Sequence, residues 1–122
     1  NYGLTVANVF HAGDGNLHPC ILFDARKEGD VEKALCIGGE ILKESVKLGG
    51  VLTGEHGVGM EKREFMSLMF DEIDLDNMEK LQFAFGSFGN LNPGKIFPSN
   101  RKNEHPIYDH ASFGTTDFGV IV

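Results

Sequence analysis

Apolar positions along the chain fall first in two short β-type runs and then in two longer helical periods. Thr5 to Phe10, with Val6, Val9 and Phe10, and Pro19 to Phe23 ("PCILF") are rich in β-favouring side chains and predict two strands. Between them lies "HAGDGNLH", residues 11–18, whose glycines mark a turn. Asp30 is placed to cap a long helix running through Leu48, because Val31, Ala34, Leu35, Ile41, Leu42 and Val46 recur near helical spacing and Gly49-Gly50 stops it.

The second half is more broken. "GGVLTGEHGVG", residues 49–59, carries too much glycine for a helix interior and predicts a short strand over Val51–Thr53 followed by a loop. A short helix over Met60–Met69 comes next. Another follows with Asp74 as its cap, and Leu75, Met78, Leu81, Phe85 and Phe88 form one stripe of core type. "NLNPGKIFP", residues 90–98, reads as extended and turn-like, since Pro93 disfavours helix at Asn92 and Gly94 admits unusual dihedrals. From Ser99 onward no period is visible, and residues 99–122 read as a tail. Strands interleaved with helices point to an α+β domain or a small α/β sandwich.

Size and charge narrow the classes of function. A chain of 122 residues is enough for one core. The 11 basic against 18 acidic residues, net −7, exclude the basic stripe that a nucleic-acid partner requires. No apolar run approaches the ~18 residues of a membrane span. Cys20 and Cys36 are too few for a disulfide framework and fit a reducing compartment, so a cytoplasmic location is expected, with any membrane association made through partners. The chain starts at Asn1 and enters a strand at once, which reads as the interior of a longer protein.

Asp14-Gly15 is a favoured central pair for a two-residue hairpin turn. Such a turn places Gly13 opposite Asn16, Ala12 opposite Leu17 and His11 opposite His18. The two imidazoles then share a face with Cβ atoms about 4.5–5.5 Å apart, close enough to supply one metal ion with two nitrogens. Cys20 follows on the same face as a candidate neighbour or soft ligand. Asp14 is a rival oxygen ligand that at a turn tends to bond its own backbone. The other reading has one histidine capping the turn and its partner bonding a carbonyl; the residues alone leave both open.

Glu55 and His56 stand side by side between glycines. A metal with two histidines needs a third ligand, and a carboxylate completes the His2Glu set of open catalytic sites. Glu55 is the candidate. On an extended segment neighbours point to opposite sides, which leaves His56 free to act as a base on substrate if the loop curls. The competing reading is a solvated loop tip. His-Glu-x-x-His does not occur, and the glycines match neither a phosphate loop nor a dinucleotide fingerprint. His105 and His110, in the tail, read as exposed.

"ANVFHAGDGNLHP", "GGVLTGEHGVGMEK" and "LNPGKIFP", in that order, resemble the C-terminal part of FAD-linked 2-hydroxyacid oxidoreductases of the vanillyl-alcohol-oxidase type, most nearly the glycolate oxidase flavoprotein branch. The resemblance covers residues 2–98. It implies that residues 1–98 are the C-terminal portion of a cap domain, built on an antiparallel sheet with flanking helices and truncated at its N-terminus. It also implies that FAD is bound mainly by an N-terminal domain outside this chain. By the same resemblance the metal pair falls on His11 and His18, the metal carboxylate on Glu55, the catalytic base on His56 and a flavin-approaching residue on Asn92. Lys62 matches a family lysine without an assigned role. Cys20 stands where related hydroxyglutarate dehydrogenases have a substrate-holding asparagine, which argues against a hydroxyglutarate-like substrate.

The implied chemistry is oxidation of a 2-hydroxy acid of glycolate or D-lactate type to a 2-oxo acid, with a divalent zinc, manganese or iron ion and FAD. Other oxidase subunits or an electron acceptor are the implied partners. The isolated segment is expected to be inactive. A stand-alone metal-binding or interaction module is the alternative, and a metal-dependent hydrolase, which needs a complete pocket within the chain, is a third.

Overall fold

The computed structural model describes residues 2–85, 91–101 and 118–121. The fold is α+β, with an antiparallel sheet and accompanying helices. The chain divides into two compact units, Asn1–Ser45 with Ser112–Val122, and Val46–Ala111.

The first unit holds the sheet. Strand β1 (Thr5–His11) and strand β2 (Asn16–Asp24) form an antiparallel hairpin, and β3 (Phe118–Ile121) lies antiparallel on the other side of β2, giving the order β1-β2-β3. The apolar stretch at the far end of the tail thus adds a strand to the sheet. Residues alternate between faces along each strand. His11, Asn16, His18 and Cys20 therefore share one face, while Phe10, Leu17 and Ile21 stand on the other. Ile21 is 1% exposed and Ala34 fully buried. Past β2 the chain turns on Asp24, whose carboxylate accepts bonds from the Arg26 backbone N–H and, in a two-pronged pair, from its guanidinium, all at 3.0 Å.

Helix α1 (Asp30–Lys47) starts where the sequence places it and ends one residue early. Asp30 is buried and ion-paired to Lys33 at 3.3 Å, and a carboxylate in the first turn complements the helix dipole. The apolar stripe differs from the expected one at one position. Leu35 is exposed, and Ile37 takes its place in the row Val31, Ala34, Ile37, Ile41, because steps of three, three and four keep those positions on one face.

The second unit departs more from expectation. Val51–Thr53 forms no strand. Its polar groups are used elsewhere: the Leu52 N–H meets the Met69 sulfur at 3.4 Å, and the Thr53 hydroxyl accepts the Gly57 N–H at 2.9 Å. The helix expected over Met60–Met69 is a 3-10 helix over Arg63–Leu68, preceded by a turn in which Lys62 N–H reaches the Val58 carbonyl. Helix α2 (Glu72–Phe85) begins before Asp74. Its cap is Asp71, whose carboxylate accepts the Asp74 N–H at 2.9 Å while the Asp74 carboxylate returns to the Asp71 N–H at 3.4 Å.

Leu52, Met66, Leu75 and Phe97 are buried apolar residues of this unit. The stripe on α2 is core only at its start. Leu75 is 1% exposed, but Leu81 and Phe85 are exposed on the later turns, and Phe88 lies outside the described residues. Near the end of the unit, Arg101 inserts its guanidinium among Glu72, Asp76 and Glu79 of α2, tying the segment after Pro98 to the helix.

Candidate functional site

The hairpin turn decides where the two histidines go. The Asp14 N–H closes a turn onto the His11 carbonyl at 3.0 Å, and Gly15 follows at φ 67°, a left-handed conformation that favours glycine. The connection is therefore four residues, Ala12–Gly15, and not a two-residue Asp14-Gly15 turn. His11 pairs with Asn16, and His18 pairs with Val9. Direct opposition of the histidines is thus replaced by a diagonal relationship. A register shift of two preserves the face, since side chains alternate with a period of two.

The rings meet edge to face, with centroids 5.4 Å apart and planes at 85°. Two imidazoles on one tetrahedral metal, each nitrogen about 2.0–2.1 Å from it, have ring centres about 5 Å apart. The pair therefore fits a shared ion. His18 is 9% exposed, whereas His11 is exposed, so one donor is anchored in the protein and the other faces outward. Cys20 is half-buried on the same face opposite Ala7, and its thiol lies 3.6 Å from the His18 carbonyl oxygen. Asp14 is exposed at the turn.

Glu55 and His56 lie in the second unit. The segment around them is bent, because the Thr53 hydroxyl holds the Gly57 N–H and Gly57 adopts φ 86°. In place of the divergence expected of an extended segment, the two side chains meet, with His56 Nε2 3.3 Å from Glu55 Oε1 and both about half exposed. A carboxylate beside an imidazole can orient its ring by hydrogen bonding.

Asn92 is exposed and sits at φ 43° in the turn that opens "NPGKIF". Its carbonyl accepts the Lys95 N–H at 3.3 Å, and its side-chain oxygen lies 3.4 Å from Lys95 Nζ. Lys62 is half-buried and makes no capping side-chain bond to the 3-10 helix. His105 and His110 lie outside the described residues.

Two residues that the sequence did not single out bind the Asn92 turn. Arg63 Nη1 donates to the Gly94 carbonyl at 2.6 Å, and its Nε donates to Glu64 at 3.0 Å. The same Glu64 oxygen accepts the Ser99 N–H at 3.0 Å. Burial raises the Glu64 pKa, but the bonds from Ser99 and Arg63 outweigh it, and the carboxyl is held below its ordinary value.

Residues 1–96 match the family described as FAD linked oxidases, C-terminal domain. The chain belongs to this family. Among curated proteins it is 48% identical over 98 residues to "Glycolate oxidase subunit GlcD" of Escherichia coli (strain K12), covering 80% of this chain and 20% of that protein. It is 37% identical over 101 residues to the protein of the same name from Bacillus subtilis (strain 168), covering 83% and 22%. It is 32% identical over 90 residues to "D-lactate dehydrogenase [cytochrome], mitochondrial" of Arabidopsis thaliana, covering 74% and 16%. The chain thus spans about a fifth of the length of the first relatives. No solved structure gives a significant match. No helix among the described residues is long and apolar enough to cross a membrane.

Proposed function

We propose that this chain is the substrate-facing, metal-holding part of a flavin-dependent 2-hydroxyacid dehydrogenase or oxidase of the glycolate or D-lactate type. Residues 1–98 would be the C-terminal portion of its cap domain, with residues 99–122 beyond it. The observation that carries the reading is the pair of histidines on one face of the β1–β2 hairpin, 5.4 Å apart, in a chain of the FAD-linked oxidase family. Names of relatives that act on glycolate and D-lactate support the substrate class.

His11 and His18 would hold a divalent metal, zinc, manganese or iron, with Glu55 as third ligand, because two neutral imidazoles and one carboxylate form an open donor set that leaves room for substrate. When bound, the metal supplies a Lewis acid for the substrate's carboxylate and 2-hydroxyl, and the flavin an acceptor for two electrons. His56 Nε2 takes the hydroxyl proton as general base. Asn92, exposed in its turn, would be the residue of this chain that approaches the flavin. The net change is loss of two electrons and two protons from the 2-hydroxy acid, giving the 2-oxo acid. A cytoplasmic location, with other oxidase subunits or an electron acceptor as partners, belongs to the same proposal.

Anaerobic mixing of the full-length, flavin-loaded protein with glycolate, D-lactate and D-malate tests it. Bleaching of the flavin absorbance by at least one of these acids is expected. A flavin that none of them reduces, in a protein that binds metal, would favour a metal-binding module without catalysis.

A further inference from the structure

Ile96 adopts φ 74°, a left-handed conformation that a β-branched residue adopts only under constraint. Three bonds within the second unit supply the constraint. The Ile96 N–H donates to the Gly59 carbonyl at 2.8 Å, the Gly94 carbonyl accepts from Arg63, and the Ser99 N–H is held by Glu64. Arg63 and Glu64 are joined to each other, so one ion pair holds the turn at Gly94 and the chain beyond it at Ser99. The Arg63 side chain is 18% exposed, which leaves its bonds less screened than those of a surface arginine. Gly59 belongs to the same glycine-rich segment as Glu55 and His56. The strained turn is thereby stitched to the loop that carries the proposed base.

We propose that Arg63 and Glu64 are positioning residues for the reaction: they clip the Asn92–Ile96 turn onto the segment that follows His56, so that the flavin-facing asparagine and the base are held by one frame. The inference rests on the proposed oxidase reading for its functional half. Neither residue touches substrate or flavin. Their effect passes through the Gly94 carbonyl and the Ser99 N–H, on a strained turn at Ile96 that the Phe97 N–H also closes locally onto the Lys95 carbonyl at 2.9 Å.

The test compares Arg63→Met and Glu64→Gln with the wild type in the full-length, flavin-loaded protein. The Ile96 amide is expected to exchange about tenfold faster in Arg63→Met, the scale on which loss of a charge-assisted bond opens a local segment, while amides of α2 are unchanged. A fall in kcat of about tenfold and a shift of the flavin absorption band should accompany it, since a small misplacement of a cofactor contact is costly to rate. KM and metal content should stay within about twofold. Glu64→Gln keeps the shape of the side chain and reads the same amide if Arg63→Met does not fold. Unchanged Ile96 exchange in the folded variants overturns the clip. Faster exchange with unaltered kcat and flavin band overturns its role in positioning. A wild-type protein that no 2-hydroxy acid reduces overturns the oxidase reading, while the exchange measurement still decides the clip.

Discussion

His11 meets His18 diagonally across the β1–β2 ladder: their ring centroids are 5.4 Å apart, although each is paired with a different residue, Asn16 and Val9. Face, then, controls their approach more than register does. Replacing either histidine with alanine should weaken metal binding by more than about tenfold, because removing a ligand costs at least as much as removing the outer residues that orient one. Leu17→Ala, beside His18 but on the other face, should leave the metal in place. Elemental analysis and metal titration of the full-length protein read all three. Glu55→Ala belongs with the histidine variants, and full stoichiometry in all of the ligand variants would remove the metal from the proposal.

The contact between His56 Nε2 and Glu55, 3.3 Å, gives the proposed base a carboxylate neighbour. Replacement of His56 with alanine should lower the rate of flavin reduction by roughly 10²–10⁴, the usual range for loss of a general base. Metal and flavin content should be retained. Stopped-flow reduction at saturating substrate separates this from a binding defect, and an unchanged rate would exclude His56 from the chemistry.

What was legible in the sequence followed from period. Alternation put both histidines on one face, and that survives because the true turn differs from the expected one by an even number of residues, placing Gly15 in a left-handed position after the turn. The helical period found α1 to within a residue. It misjudged Leu35 and the later turns of α2, where Leu81 and Phe85 are exposed, since periodicity says that a stripe exists and not what covers it. Thr53 and Leu52 spend their polar groups on Gly57 and Met69, so the expected strand never forms. The bond from Arg63 to Gly94 spans 31 positions and leaves no local signature.

Ile96 and Phe97 are neighbours with opposite expected sensitivities. Ile96 is 38% exposed and held at φ 74°, so Ile96→Gly relieves a left-handed penalty of about 1–2 kcal/mol while losing some burial and gaining unfolded-state entropy worth up to about 1 kcal/mol. The net change in stability should be under about 1 kcal/mol. Phe97 is 8% exposed, and Phe97→Ala should cost about 3–5 kcal/mol by emptying part of the core. Denaturant unfolding of the two variants compares them directly, and equal losses would show that the left-handed backbone at Ile96 carries no strain.

The Glu64 carboxyl, held below its ordinary pKa by Ser99 and Arg63 despite the opposing effect of burial, makes the Asn92–Ser99 segment sensitive to acid. A depressed folded-state pKa means that the unfolded chain binds the proton more readily. The stabilisation is therefore complete above the ordinary carboxylate value of about 4.3 and is lost as pH falls through the lower folded value. Protonation removes the charge that accepts from Ser99 N–H and Arg63 Nε, so exchange at the Ser99 amide, corrected for its intrinsic pH dependence, should quicken below that range. Glu64→Gln, neutral at every pH, should flatten the profile at the level of the acid-loosened segment. A wild-type profile as flat as that of the variant would mean that the charge on Glu64 contributes nothing to holding the turn.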